Sequence, residues 1–524
     1  MLNTFKKLTR ILPYKFKYNP GNIGILISDR GRPDSNFRSI ISASIINDLY
    51  KANPYVLSSR KTNKSSSEDF FKLYNIKKIY SSSFIFIPSN LIIYLKVILE
   101  ILIFYIRILS KKDKFNWINS QYTFLNIKVG DLIYDQYIRN DLSFIKPKIF
   151  SLKFLNIIFD GIYKILIIEK NVEKNNIKFI ISNQKAYTSN GNLLLRYGAK
   201  NNIITILTGY NFIKFYKNYH EALYYPFYVS NDLLKKTKNY TQKKIEKFYL
   251  DRINSKIKGS YVNPKVIKKI YKNYDNDKFF KFINKLKKNY KTVNVYALNC
   301  FSDSPHAFGN LIFRDFYDQF ISTMKFFKQN ENNKNSFWLI KPHPSLKEYN
   351  EKNIVEDVLK KFNVKNVKIC PPNVNNNILF TNIDNLITAT STIGLEYACI
   401  GKKPILSGLA PYYKKNIFYY SKSKKDYFQK LKNIHSFKNK ISKKEMSVCK
   451  RSLFVLENLV HLNLNKSPIL SNVTQRFSGN NKNYINFLFK NFQKTSFKTL
   501  YDDEFYKDLK TKIKKKINLN NVKL

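Results

Sequence analysis

Cysteine is scarce, with four in 524 residues, at positions 300, 370, 399 and 449. None forms a CxxC pair and no paired histidines stand nearby, which argues against a zinc site and a disulfide scaffold and fits a reducing, cytoplasmic setting. Acidic residues are also few, 36 against 92 lysines and arginines, for a formal charge of +56. That balance invites a nucleic-acid reading. However, the basic residues run from end to end, with no RNA-recognition signature, zinc-finger spacing or local arginine stripe, so no specific nucleic-acid partner is expected. Lysine, asparagine and isoleucine rise together throughout, as AT-rich codon usage would produce, so part of the charge reflects the genome. The charge does predict attraction to anionic membrane surfaces and to anionic ligands. Glycines 21, 24 and 31 compose neither GxGxxG nor a Walker A loop, and no cofactor is expected. The amino end, MLNTFKKLTRILPYKFKYNPGN, has no sustained apolar core or small-residue cleavage site, so no signal peptide is expected.

The hydrophobic content of 44%, including 16% aromatics, suffices for packed cores, and the length suits two domains of Rossmann-like size with connecting helices. Asn22 to Ser28 reads as a strand, followed by the turn-rich DRGRPDSN and a helix over Phe37 to Tyr50. Ile177 to Ile181, Gly191 to Tyr197 and Ile203 to Leu207 read as strand, helix, strand. Residues 89–110 are the most apolar, yet Lys96, Glu100 and Arg107 interrupt them. A buried or amphipathic helix is expected first, an interfacial membrane helix second and a true span last. In VGDLIYDQYIR, Asp131, Asp135 and Arg139 recur every four residues and share a helix face, either lining a cleft or forming a solvated ion-paired surface. Asp275-Asn276-Asp277 mimics a DxD metal motif but lies in a charged linker, and no metal is expected.

The organising stretch is DNLITATSTIGLEYACIGKKPILSGLAPYY at 384–413. Asn385 to Ala389 reads as a strand, Thr390, Ser391 and Thr392 as helix-start residues, and Ile393 to Ile400 as a helix stopped by Gly401 and Pro404. Pro404 to Ser407 resumes as a strand. Hydroxyls and amides at such a helix start, on the carboxyl edge of a parallel sheet, suit a phosphate. Alone, a Ser-Thr pair there is as readily a cap. Glu396 lies one turn beyond Thr392 and can accept from sugar hydroxyls. Phe337 to Ile340 reads as a buried strand opening into Lys341-Pro342-His343-Pro344, where two prolines restrict the backbone around one imidazole. Val293 to Leu298 reads as another strand, with CFSDSPHAFG, including Asp303 and His306, at its carboxyl end.

KPHP followed by TSTIGLEYACIGKKPIL resembles the carboxyl half of capsule and surface polysaccharide glycosyltransferases of GT-B fold. VGDLIYDQYIR, NQKAYTSNGNLLLRYGAKNNI and CFSDSPHAFGNLIFRDFYDQF are similar to further segments of bacterial surface carbohydrate biosynthesis proteins, extending the likeness over about residues 120–415. The resemblance implies an α/β protein with two Rossmann-like domains facing a central cleft and carboxyl-terminal helices crossing back. The domains are expected at 1–285 on the acceptor side and 286–470 on the nucleotide-sugar side, with a helical tail at 471–524. It implies a nucleotide-sugar donor, CMP- or UDP-linked, and a glycan or lipid-linked acceptor; the positive charge and the 89–110 run with the basic Lys111 to Lys114 after it make peripheral contact with the inner face of the cytoplasmic membrane the accompanying expectation. Lys341, His343, Ser391 and Thr392 are expected on the donor phosphate and Glu396 on its ribose or sugar. Asp303 is expected as the base, with His306 next and Asp135 third. A CDP-polyol phosphotransferase, a nucleotide-sugar 2-epimerase and a nonenzymatic basic adaptor for nucleic acid or membrane are the alternatives.

Overall fold

The computed structural model describes residues 2–58, 68–81, 88–139, 142–208, 212–216, 218–223, 229–253, 276–307, 311–371, 374, 376–414, 417–459, 462–463, 467–470 and 481–519. The chain divides into two units. The first comprises Met1–Tyr137, Lys148–Pro226 and His461–Leu524; the second comprises Ile138–Pro147 and Phe227–Val460.

Unit 1 is built on β1 (Gly24–Ser28), β2 (Asn53–Ser58), β3 (Lys77–Tyr80), β6 (Ile177–Ser182), β7 (Ile204–Thr208), β8 (Phe212–Phe215) and β15 (Leu462–Asn463), in the order β15-β8-β7-β6-β1-β2-β3. The strands from β3 to β7 run parallel, and β8 and β15 add antiparallel edges. A two-stranded ribbon, β4 (Thr123–Phe124) with β5 (Ile127–Lys128), stands apart from this sheet. The helix Pro33–Tyr50 begins earlier than the apolar pattern suggested, because Pro33 occupies its first turn and the buried Asp34 there pairs with Arg32 and Arg38. The carboxyl-terminal helices Asn481–Phe492 and Glu504–Leu519 complete this core: Tyr484, Ile485, Leu488, Phe505 and Leu509 are buried with Phe37 and Phe70.

Unit 2 carries β9 (Thr292–Ala297), β10 (Ser336–Lys341), β11 (Val367–Ile369), β12 (Asn385–Thr388), β13 (Ile405–Leu406) and β14 (Tyr419–Tyr420). Its order is β11-β10-β9-β12-β13-β14, parallel throughout. Successive strands leave β9 in one direction through β10 and β11 and in the other through β12 to β14. This is the doubly wound Rossmann order, and its topological switch point lies between β9 and β12. Two parallel α/β units of this kind are the fold expected from the sequence.

The two units are not continuous in sequence. Phe227–Val460 stay together because Gln242–Ile253 packs on Lys443–Asn458, with Lys450 Nζ 2.6 Å from Glu246 Oε1. The return to unit 1 begins at His461, and Ile138–Pro147 belong to unit 2. Within the DxD-like triplet, Asp275 lies outside the described residues and Asp277 opens the helix Asn276–Asn289.

Candidate nucleotide site

Three loops leave the carboxyl ends of adjacent strands at the switch point: 298–307 after β9, 342–346 after β10 and 389–392 after β12. Parallel pairing of β10 with β9 sets Lys341 opposite Ala297, so Cys300 and His343 meet although 43 residues apart. His343 Nδ1 lies 3.0 Å from Cys300 Sγ and accepts the Ser345 amide at 3.3 Å. A backbone N–H only donates. Nδ1 is therefore the unprotonated nitrogen, and the neutral ring carries its hydrogen on Nε2. Burial lowers the imidazole pKa; Asp303 opposes that shift and Lys341 adds to it. Burial also pushes the Cys300 thiol far up, which keeps it protonated as the second donor to Nδ1.

The loop after β9 is held from behind by Glu351. Its carboxylate accepts the Phe301 amide (2.8 Å), the Ser302 amide (2.9 Å) and the Ser302 hydroxyl (2.7 Å). Ser304 sits at φ 47° in the left-handed region, a strained conformation for serine. The turn leaves Asp303 exposed and buries His306. Arg139 ends the helix Gly130–Arg139 that also carries Asp131 and Asp135, and it falls within unit 2. Its guanidinium lies 4.0 Å from the Tyr349 ring centroid; burial raises the Glu351 carboxyl pKa, and Arg139 partly offsets that shift.

After β12 the chain turns into the seven-residue helix Ile393–Cys399. Thr392 stands at the cap position but is already helical (φ −58°, ψ −19°) and makes no side-chain capping bond, so the capping role open to it in sequence is not the one adopted. Thr392 is exposed and Ser391 half-buried. The Tyr412 hydroxyl donates to the Ser391 carbonyl, pinning the turn from the LAPYY segment. Gly394 permits the close approach: a Cβ there would lie 2.7 Å from Tyr412 Oη and 3.3 Å from both Leu406 Cδ2 and Thr388 Cγ2. Thr390 Oγ1 is buried without a hydrogen-bond partner. Glu396 is also buried. Asn376 Nδ2 donates to its Oε2 (2.9 Å), and Arg252 Nη2 lies 3.3 Å from its Oε1.

The structure thus places Lys341 at the end of β10, and His343, Asp303, His306, Ser391, Thr392 and Glu396 on the loops and helix that follow three adjacent strands of unit 2. Asp135 belongs to unit 1, where it is buried and helps to hold Arg196 charged. Asp131 is committed to structure there, taking Arg196 in a two-pronged pair at 2.6 and 2.8 Å. Sequence reasoning missed Cys300, Glu351, Tyr412 and Arg252 as supports, since each reaches its partner across a long chain separation. Among the described residues no group of three or more His, Cys, Asp or Glu is placed to hold a metal ion.

In sequence, residues 217–428 match the family described as capsule polysaccharide biosynthesis protein. The matched stretch includes all three loops of the candidate site and six of the strands described above. No curated protein matches the chain. Among solved structures it is similar to a glycosyltransferase from Rickettsia africae (12% identity, TM-score 0.26, covering 93% of this chain and 99% of that one). It is also similar to Thermosulfurimonas dismutans KpsC, a beta Kdo 2,4 transferase (13%, 0.29, 52% and 79%). A third is Anabaena HepE in complex with UDP-glucose (10%, 0.26, 90% and 100%). Scores this low leave the fold resting on the strand orders above.

Proposed function

We propose that the protein is a glycosyltransferase that moves a sugar from a nucleotide-sugar to a hydroxyl of a surface or capsular polysaccharide, or of its precursor. The observation that carries this reading is the placement of a neutral imidazole, a lysine and two helix-start hydroxyl residues after adjacent strands at a Rossmann switch point, in a stretch that matches a capsule polysaccharide biosynthesis family. Transfer leaves negative charge on the departing phosphate, and fixed donors aimed at that charge lower the barrier. In this reading His343 Nε2–H, the Lys341 ammonium and the hydroxyls of Ser391 and Thr392 take the phosphate oxygens. Glu396, steadied by Arg252 and Asn376, retains lone pairs for a ribose or sugar hydroxyl. Asp303, exposed beside His343, serves as base for the acceptor hydroxyl.

Thermal shift with CMP, CDP and UDP and their sugars tests the reading, because a ligand specific to the folded state raises its stability, by about 2.7 kcal/mol at a hundredfold excess over Kd. One of these nucleotides is expected to stabilise the wild type and to lose that effect in His343→Ala, whose unliganded melting is lowered by loss of the Nδ1 contacts but stays cooperative. A complete absence of response to all of them overturns the proposal. Asp303→Asn is expected to keep the nucleotide response and lose transfer; undiminished transfer removes Asp303 as the base.

A further inference from the structure

The apolar run at 89–110 folds as a short 3-10 turn and the helix Leu91–Leu109. One side of that helix is conventional: Ile93, Val97, Ile101, Phe104 and Ile108 are buried at helical spacing, and Tyr94 stacks on Tyr163 of Leu152–Lys174. The opposite side is also apolar but uncovered. Leu91, Ile92, Leu95, Leu99, Leu102 and Ile106 are each more than half exposed, Ile92 at 70%. At 3.6 residues per turn they form one stripe directly away from the buried one. A later segment adds to it, where Phe150 (60% exposed) stacks on Tyr105 and Leu152 is 79% exposed. Single exposed leucines are ordinary, but a contiguous face of this kind marks an interaction surface.

The rim carries cations. Lys96 and Arg107 flank the stripe on one side, Lys112 follows the helix end and Lys148 precedes Phe150, all exposed. The nearby carboxylate Glu100 is half-buried, is not on the stripe, and accepts the Tyr122 hydroxyl at 3.2 Å. Three charges fall within the helix, and among the described residues no helix is long and apolar enough to cross a membrane. A second copy of the chain laid on this face would bring like-charged rims together in a protein of formal charge +56. An anionic bilayer instead offers an acyl boundary to the stripe and phosphate groups to the rim.

We propose that the face formed by Leu91–Leu109 with Phe150 and Leu152 is a docking surface for an anionic lipid bilayer, the helix lying in the headgroup plane. This inference is independent of the nucleotide site. It is tested by sedimenting the full-length protein with vesicles of phosphatidylcholine alone and of phosphatidylcholine mixed with phosphatidylglycerol. The wild type is expected to sediment with the mixed vesicles at least about tenfold more strongly than with the neutral ones, and added salt should weaken the binding. Leu99→Glu/Leu102→Glu, at exposed positions, is expected to abolish sedimentation while its nucleotide response is unchanged. Lys112→Glu/Lys148→Glu leaves the apolar face intact and is expected to weaken binding to mixed vesicles alone, by about fivefold or more per residue. Absence of vesicle binding, or equal binding by wild type and both variants, overturns the proposal. So does a concentration-dependent dimer that the leucine substitutions abolish and vesicles do not compete with, which would assign the face to a second copy.

Discussion

At the scale of single residues the site depends on the tautomer of His343. Its Nδ1 is occupied by the Ser345 amide and the Cys300 thiol, so protonating it means losing both donors. The ring's pKa therefore lies below its ordinary 6.5, with burial as the main cause. The folded state then binds fewer protons than the unfolded chain. The stability contributed by the neutral ring is complete above pH 6.5 and is lost as the pH falls through the depressed value. The acid-side slope of the melting temperature is expected to be shallower in His343→Gln than in wild type, and an equal slope or one of opposite sign sinks the assignment. Glu351 presents a second test. Glu351→Ala strands the amides of Phe301 and Ser302, each worth about 1–3 kcal/mol when buried without a partner, and denaturant unfolding should register the loss. The proline-flanked histidine was legible in the sequence because prolines constrain their neighbours locally. Its partners were not, since only the register of β10 on β9 brings Cys300 to it.

At the scale of elements, what could be read from sequence was whatever had local punctuation. Gly401, at φ +92°, and Pro404 end the helix after β12, and that strand-helix-strand unit lies within a residue or two of its expected limits. Whether Thr392 caps its helix was not readable, because capping and ligand-binding draw on the same residue types; the backbone angles and the missing capping bond show only that it does not cap. The helix at 91–109 defeated periodicity for a different reason. Apolar residues cover both of its faces, so the pattern could not say which one is packed. Gly394 is where an element-scale prediction falls. In Gly394→Ala the new methyl meets Tyr412 Oη, Leu406 and Thr388, and the helix must lift from β12 and β13 at a cost of about 1–3 kcal/mol. Removing the hydroxyl in the double variant with Tyr412→Phe relieves the tightest contact. Urea unfolding of the four-member cycle should then show the double variant losing less than the sum of the singles, and simple additivity would mean the glycine is not holding the helix against that ring.

At the scale of the whole molecule, the chain order conceals the unit boundaries. The amino-terminal unit is closed only by residues that follow the entire second sheet, because β15 pairs with β8 and the last helices bury their apolar faces among Phe37, Phe70 and their neighbours. Composition cannot mark such a return, since lysine, asparagine and isoleucine are spread evenly, and the hydrophobic spacing of a helix says which face is buried but not against what. Each unit nonetheless has its own core, with Tyr484 in one and Phe337, Leu339 and Leu386 in the other. Tyr484 is fully buried with its ring 6.2 Å from that of Phe37 and 6.5 Å from that of Phe70. Truncating so large a ring to alanine costs about 3–5 kcal/mol. Tyr484→Ala is therefore expected to lower the melting of unit 1 while the nucleotide response, which belongs to the loops of unit 2, retains its affinity. Calorimetry with and without the stabilising nucleotide checks this. A Tyr484→Ala protein that melts as wild type would mean the carboxyl-terminal helices do not complete the first core, and one that loses nucleotide affinity would mean that the binding loops depend on more than the second.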